Sequence, residues 1–171
     1  MSSVAWDKIE LFRNFSEQDL EKVVPLFHEK DLEAGEEVIS EGASGDEMFI
    51  LIRGKVRVSK AMVLKGVKLP LVEMKKPRKV LATLEGEIFP IFGDMALLDE
   101  DVRSATVETL EPSTFLVMNR ERFLELAGSH PDVGCRMLLA LGKRLASMVR
   151  KNNHELVKLT TALALALGGK T

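Results

Sequence analysis

The sequence predicts a mainly-β domain with helices at both ends, of the sandwich, roll or barrel kind. Short apolar segments separated by glycines fill the middle of the chain, whereas apolar spacings of three and four residues occur at its ends. With 171 residues, 46% of them hydrophobic, the chain fits one compact domain. We divide it into an N-terminal helical segment (1-30), a β-roll (31-118) and C-terminal helices (119-171), all parts of one domain.

The N-terminal segment carries a helix start signal. Ser16 is a favourable N-cap before Glu17, and Asp19 at the third position resembles the acidic member of a capping box. Leu20 continues the apolar spacing, and Pro25 limits how far a regular helix can run.

The middle of the chain reads as strands and turns. Glycine and proline residues separate the apolar segments, which predicts short strands joined by tight turns. The predicted strands are Val38-Ile39, Met48 to Ile52, Val56 to Val58, Val80 to Leu84, Ser104 to Leu110 and Thr114 to Met118.

The last fifty residues return to helical spacing. Asn119 is a predicted N-cap for a helix that ends at Gly128, and Pro131 is typical of the first turn of a second helix. The second helix has an apolar stripe that starts at Val133, Met137, Leu141, Leu145 and Met148 and continues through Asn152 to Leu156, Leu159 and Leu163. The helix either follows this stripe throughout or breaks at Asn152-Asn153. The stripe is typical of a dimer interface or a docking face, and a homodimer through this helix stays open.

Composition excludes several classes of protein. The net charge of −2 argues against a dedicated nucleic-acid binder, and no apolar stretch reaches the roughly 20 residues of a membrane span. The N-terminus lacks a secretory pattern, so we expect a cytoplasmic protein. Cys135 is the sole cysteine, which excludes an intrachain disulfide and a cysteine zinc site. Three scattered histidines, His28, His130 and His154, fall outside the predicted strands, which argues against a metal-dependent cupin enzyme.

Residues 92 to 105 have the composition of an anion site. Gly93 precedes a short predicted helical turn, and the backbone N–H groups of Met95, Ala96 and Leu97 would be free at its start. Arg103 follows at the start of a strand, and a guanidinium can bind a phosphate through two parallel hydrogen bonds. This segment therefore predicts phosphate recognition.

A second stretch, Val38 to Gly54, places turns at Gly42 and Gly45 before an apolar strand that a glycine closes. The two stretches, in this order and with Arg103 ten positions after Gly93, resemble the cyclic-nucleotide-binding domain family. That family includes the catabolite activator protein and the regulatory subunits of protein kinase A. The likeness spans about residues 10 to 150.

The resemblance implies a double-stranded β-helix (jelly-roll) with N-terminal helices and C-terminal lid helices, and a domain that binds but does not catalyse. Its ligand would be cAMP or cGMP, with no metal, and an unknown effector protein would sense the binding through the C-terminal helices. Arg103 would bind the exocyclic phosphate, Ser104 would add a hydroxyl, and Asp94 would accept the ribose 2′-OH bond. The implied ligand-binding residues are Gly93, Asp94, Met95, Ala96, Leu97, Arg103, Ser104 and Ala105.

Two departures from the family pattern bear on that site. Asp94 stands where the family usually has Glu, so its carboxylate reaches about 1.3 Å less far. Ile88 to Ile91 is an insertion directly before Phe92-Gly93. Alternatively, Arg103 forms a structural salt bridge with a nearby acid (Asp94, Asp99 or Glu100), and Asp94 caps its own turn.

The same features support a second hypothesis, a protein-interaction module that keeps the fold and has lost the nucleotide. The basic residues of segment 60-80 indicate either a solvated hairpin or a docking surface for an acidic partner: Lys60, Lys65, Lys68, Lys75, Lys76, Arg78 and Lys79. About 20 residues follow Arg150, too few for a helix-turn-helix. We therefore expect a stand-alone domain without direct contact to nucleic acid.

Overall fold

The computed structural model describes residues 4–62 and 78–168. Most of the basic segment 60-80 thus lies outside the described residues. The strands are β1 (His28–Leu32), β2 (Glu37–Ile39), β3 (Glu47–Arg53), β4 (Lys55–Ala61), β5 (Arg78–Glu85), β6 (Ile91–Phe92), β7 (Thr106–Thr109) and β8 (Ser113–Asn119). The α-helices are α1 (Glu17–Val23), α2 (Arg120–Ser129) and α3 (Pro131–Gly168).

Two antiparallel four-stranded sheets form the roll, in the orders β1-β8-β3-β6 and β2-β7-β4-β5. This arrangement confirms the predicted jelly-roll with flanking helices. β3 and β8 are central in the first sheet and are covered on both faces, which explains why both are continuous apolar runs rather than alternating ones.

Two hydrophobic cores lie on opposite faces of the first sheet. Alternate β3 residues face opposite ways, so Phe49 and Leu51 fill the space between the sheets while Met48 and Ile50 face the helices. The helical core joins the N-terminal 3-10 turns (Trp6–Lys8 and Glu10–Phe12) to the first third of α3, since Phe12 and Met137 belong to the same cluster. This second core is what fixes α3 beside the roll.

The start of α1 follows the prediction. The Ser16 hydroxyl accepts from the Asp19 backbone N–H, and the Asp19 carboxylate accepts from the Ser16 backbone N–H, which completes the capping box. α1 ends at Val23, and Pro25 lies in the 3-10 turn that follows.

One predicted helix end is wrong, and the structure decides between the two alternatives for the last helix. α2 continues through Gly128 to Ser129, because an isolated glycine costs a helix only about 1 kcal/mol while Phe123 and Leu126 anchor it in the core. α3 continues through Asn152-Asn153 to Gly168, since asparagine lowers helix propensity without removing a backbone hydrogen bond.

The strand predictions missed two elements and misjudged one start. β1 was not predicted, and it begins within segment 1-30. It contains His28, so the expectation that all three histidines lie outside the strands is wrong for this residue. β6 was not predicted because only two residues pair with β3. β7 begins at Thr106, so Ser104 and Ala105 precede it.

Candidate functional site

The two sequence stretches that predict the site meet in space. The backbone N–H of Gly42 donates to the carbonyl oxygen of Arg103 (2.9 Å), and the N–H of Arg103 donates to the carbonyl oxygen of Ala43 (2.9 Å). Gly42 has a left-handed backbone (φ 83°) that glycine adopts without strain. This pairing fixes the backbone of Arg103 before its side chain makes any contact.

The Arg103 side chain lies between two glycines that leave room for it. A Cβ atom at Gly45 would be 2.7 Å from both Nε and Nη2 of Arg103. A Cβ at Gly93 would be 2.9 Å from Nη1 and 2.8 Å from the Glu47 carbonyl oxygen. Any larger residue at either position would displace the guanidinium, so both glycines shape a cradle around it.

The Arg103 guanidinium has weak internal partners. Nη1 donates to the Gly93 carbonyl oxygen at 3.3 Å, and Arg103 makes no ion pair with the residues described. The alternative of a structural salt bridge from Arg103 is therefore wrong for this conformation. Partial burial lowers the pKa of the Arg103 guanidinium below its ordinary value, while the carboxylates of Glu47 and Asp46 act in the opposite direction.

The turn in residues 92-105, which we call the cassette, starts as predicted but uses the Ala96 amide internally. Gly93 has φ 72°, and Asp94–Leu97 form a 3-10 turn. The Ala96 N–H donates to the Gly93 carbonyl oxygen (3.1 Å), so the prediction that this amide is free is wrong, because a 3-10 turn closes its own bond after three residues. Met95 is exposed, and Leu97 is buried in the helical core.

Asp94 is engaged by a residue that the sequence analysis did not single out. Its carboxylate Oδ2 accepts from Nε of Arg144 on α3 (2.9 Å), and the residue is only 4% exposed. Gly93 is the N-cap of the turn and Asp94 is its first residue, and the printed side-chain bond of Asp94 goes to Arg144, so the capping alternative is wrong.

Arg144 also joins two further parts of the chain. Nη2 donates to the Ile91 carbonyl oxygen (2.5 Å), and Nη1 donates to Glu10 (3.0 Å). One side chain thus connects α3 to the cassette, to β6 and to the N-terminal turns. No signal in the sequence pointed to it, because Arg144 lies fifty residues from Asp94 among other helix cations.

The insertion before the cassette is absorbed locally. Gly86–Ile88 form a 3-10 turn, and Phe89 adopts a left-handed backbone (φ 48°, ψ 54°). The chain then rejoins the sheet, because the Pro90 carbonyl oxygen accepts from the Leu51 N–H (3.0 Å) and β6 pairs with β3. Residues after the insertion therefore enter the cassette from a paired strand.

A surface cavity of about 370 Å³ opens beside Gly45 and the cassette turn. Its lining residues are Ser44, Gly45, Asp46, Ala96, Asp99, Glu100 and Arg120. Ser104 is exposed next to Arg103, and Ala105 is half-buried. Within residues 4–62 and 78–168, no group of three or more His, Cys, Asp or Glu side chains is arranged to hold a metal ion. None of the helices in those ranges is long and apolar enough to cross a membrane.

Comparison with known proteins identifies relatives of this fold. The family model described as "Cyclic nucleotide-binding domain" matches residues 29–130. The cGMP-dependent protein kinase egl-4 of Caenorhabditis elegans is 28% identical over 149 residues, and human cGMP-dependent protein kinase 2 is 30% identical over 127 residues. These alignments cover 84% and 73% of this chain but only 17% and 15% of the kinases.

Solved structures agree with the family model. The catabolite activator protein of Thermus thermophilus superposes with a TM-score of 0.72 at 24% identity, over 88% of this chain and 63% of that one. The regulatory domain of Toxoplasma gondii PKA, solved with cAMP, gives a TM-score of 0.57 at 25% identity, over 70% of this chain and 41% of that one. From the match to more than half of its length, this chain belongs to the cyclic nucleotide-binding domain family.

Proposed function

We propose that this domain is a sensor that binds a cyclic nucleotide, cAMP or cGMP, at the cassette 92-105 and does not itself catalyse a reaction. The observation that carries the proposal is the Arg103 guanidinium, which is half-buried in a cradle of two glycines and without an ion-pair partner among the described residues. Family membership supports the same ligand class.

A cation in that position favours an anionic ligand. Partial burial of a guanidinium costs hydration, and a phosphate that accepts two hydrogen bonds offsets this cost. The carboxylates of Asp46 and Glu47 lie close enough to act on the pKa of Arg103 and reduce the local positive potential. We therefore expect micromolar rather than nanomolar affinity.

The relatives do not agree on which of the two nucleotides a domain of this kind binds. The kinases named above are cGMP-dependent, whereas the PKA regulatory domain was solved with cAMP. Ser104, exposed beside Arg103, offers a hydroxyl to the phosphate or the purine. Both nucleotides are therefore tested side by side.

We infer that the signal leaves the site through Asp94 and Arg144. A ribose 2′-OH that donates to Asp94 would compete with the Arg144 guanidinium for the same carboxylate. Loss of this ion pair would weaken the contacts by which Arg144 connects α3 to the cassette and to the N-terminal 3-10 turns. The ligand would then bind the state with α3 undocked more tightly than the state with α3 docked, and would lower the population of the docked state accordingly. An effector protein would sense that shift.

Isothermal titration with cAMP and with cGMP tests the proposal. The wild type is expected to bind one or both at micromolar Kd. Arg103→Ala removes the charge-assisted bonds, worth about 1.5–3 kcal/mol each, so binding falls by roughly tenfold to a hundredfold or is lost. Arg57→Ala is the matched control, because Arg57 pairs with Glu108 on β7 and lies outside the cassette. Equal losses in both variants would contradict the assigned site.

One observation favours a second function, a protein-interaction module without a nucleotide. Asp94 is buried and already paired with Arg144, which leaves its carboxylate unavailable in this conformation. Arg144→Ala separates the two functions. If the domain is a sensor, Arg144→Ala should bind the nucleotide more tightly than the wild type, because Asp94 is released. If it is an interaction module, titration of the folded wild type and of the folded variant should give no heat of binding with cAMP or cGMP.

We further propose that the chain forms a homodimer through the distal part of α3. Every residue from Ala146 to Gly168 is exposed. From Leu145 onward, apolar side chains and the polar Asn152 nevertheless recur at alternating steps of four and three, the spacing of a coiled-coil seam. The seam residues are Leu145, Val149, Asn152, Leu156, Leu159 and Leu163.

A further inference from the structure

A second cavity, of about 310 Å³, lies between the N-terminal 3-10 turns and α3. One wall comes from the second N-terminal 3-10 turn (Glu10–Phe12) and the residues directly after it, and the other from residues 136–144 of α3. The lining residues are Glu10, Leu11, Arg13, Asn14, Phe15, Arg136, Leu139, Ala140, Lys143 and Arg144. We call this cavity the N-terminal cleft.

The N-terminal cleft is rich in hydrogen-bond donors and poor in acceptors. Arg13 and Lys143 are exposed, one on each wall, and neither makes an ion pair with any residue in the described ranges. Arg136 uses Nη1 on Asp19 and is otherwise half-exposed, which leaves further N–H groups for a ligand. The sole carboxylate in the lining, Glu10, already accepts from Arg144. An occupant must therefore supply anions.

Apolar side chains lie between these cations. Leu11 is buried and Phe15 is half-buried on the N-terminal wall, while Leu139 on α3 remains 59% exposed. An exposed leucine beside a cavity with apolar lining can be covered by an apolar side chain of a partner. The occupant thus combines negative charge with at least one large apolar group.

The spacing of the cations favours a peptide over a small anion. Arg136 and Lys143 are seven residues apart on α3, which places them about 10 Å apart along the helix axis. A single carboxylate or phosphate cannot contact both. Carboxylates two turns apart on a helix, or about three residues apart on an extended chain, span that distance.

We propose that the N-terminal cleft is a docking site for an acidic peptide segment of a partner protein that inserts an apolar side chain over Leu139. Its carboxylates pair with Arg13, Lys143 and the free donors of Arg136. None of the proposed nucleotide-binding residues lines the cleft, and its one link to them is Arg144, which bonds Asp94. The proposal does not depend on nucleotide binding.

Fluorescence anisotropy with a labelled twelve-residue peptide tests the proposal. The probe carries leucines at spacings of three and four and Glu or Asp elsewhere; two companions replace its leucines by serine or its acids by lysine. The protein variants are Arg13→Glu with Lys143→Glu, and, as a control with the same change in charge, Arg150→Glu with Lys151→Glu. Arg150 and Lys151 are exposed on α3 and do not line the cleft.

The acidic leucine peptide is expected to bind the wild type with an affinity that falls as salt screens the ion pairs. Reversal of Arg13 and Lys143 should weaken binding about tenfold or more, and the control should change it by less than about threefold. Circular dichroism checks that both variants fold, as neither pair contacts the core. Absence of binding, equal losses in both variants, or equal binding of the serine peptide would overturn the proposal.

Backbone amide shifts give a second readout on the wild type. The acidic leucine peptide should perturb the amides of Asn14, Leu139 and Ala140, which line the N-terminal cleft. Perturbations confined to residues beyond Ala146 would instead assign the peptide to the distal part of α3 and would contradict the proposal.

Discussion

At the scale of single residues, one arginine and two glycines explain the candidate site. Gly45 and Gly93 lack the Cβ atoms that would collide with Arg103, and the backbone of Arg103 is bonded to the turn that starts at Gly42. Two sequence stretches about fifty residues apart therefore build one cradle. This cradle holds the guanidinium of Arg103 in a half-buried position.

Gly45→Ala is expected to weaken cyclic-nucleotide binding while the fold persists. The new Cβ would lie 2.7 Å from Nε and Nη2 of Arg103, and the flexible end of that side chain would give way before the backbone does. Loss of one charge-assisted hydrogen bond corresponds to roughly tenfold or more in affinity. Titration calorimetry measures the change, with Gly128→Ala as control because a Cβ there meets nothing. Wild-type affinity in Gly45→Ala would refute the cradle.

Asp19→Asn is expected to destabilise the protein in a pH-dependent way. Burial raises the pKa of the Asp19 carboxyl, but hydrogen bonds from Ser16 and the charge of Arg136 lower it by more, so the net pKa is below its ordinary value. The stabilisation is thus fully present above about pH 4, where the unfolded carboxyl is ionised, and is lost as pH falls through the lower folded pKa.

Urea unfolding between pH 7 and pH 3 checks this. At pH 7 the variant should lose about 1–2 kcal/mol, the usual worth of a capping residue, and the difference from wild type should shrink at the acid end. Glu21→Gln, at an exposed position on the same helix, serves as the control. A constant difference across the pH range would contradict the role of the ionised carboxylate.

Part of the site could be predicted from the sequence. The contact between Asp94 and Arg144 could not, because it depends on tertiary packing. Gly93 and Arg103 belong to a local segment whose spacing already indicates an anion site. Arg144 depends on how α3 docks against the roll, a long-range event with no local pattern. The hydrogen-bond partner of the Asp94 carboxylate therefore could not be predicted, since it lies fifty residues away in the sequence.

At the scale of elements, burial on both faces of the first sheet decides the fold. β3 and β8 have continuous apolar centres (48–52 and 115–118) because one face meets the second sheet and the other meets the helices. These strands were predictable from their length and apolar content. β1 was not, because its sequence His28–Leu32 is largely polar and it pairs at the edge of the sheet. β6 was too short for any periodicity to appear.

The contact between α2 and α3 depends on a glycine. A Cβ at Gly134 would lie 2.6 Å from the Ala127 Cα and 2.9 Å from its Cβ, so Gly134→Ala must separate the helices. We expect a loss of about 1–3 kcal/mol in the free energy of unfolding, as for other overpacked contacts. Gly142→Ala, on the same helix where a Cβ meets nothing, should instead stabilise by about 0.5–1 kcal/mol. Thermal and urea unfolding compare the two, and equal effects would contradict the packing account.

At the scale of the whole molecule, α3 is an arm that leaves the domain. Its 38 residues rise about 57 Å, and only the first third contributes to the helical core. Between Pro131 and Gly168 it carries six cations against Asp132 and Glu155, although the protein as a whole has a net charge of −2. The rest of the chain is correspondingly acidic, and partners that contact the arm meet the opposite charge from those that contact the roll.

The distal part of α3 is expected to dimerise. Leu156→Lys, within the seam, should convert a dimer into a monomer, because it places a charge in the buried face of the coiled coil. Leu165→Lys is the matched control, since Leu165 is also exposed (73%, against 60% for Leu156) but lies off the seam. Sedimentation velocity distinguishes the two states. A monomeric wild type at high concentration, or dissociation by both variants, would exclude this seam.

Titration of isotope-labelled protein with cAMP and with cGMP, followed by backbone amide shifts, tests the central claim most directly. If the domain binds a cyclic nucleotide at the cassette, the amide shifts of Gly45, Gly93 and Arg103 should change in a saturable way. The amides around Arg144 should change with them, because the Asp94–Arg144 ion pair joins the cassette to α3. Shifts at the cassette alone would contradict the coupling through α3. A folded protein whose amides do not respond to millimolar amounts of either nucleotide would contradict the sensor itself.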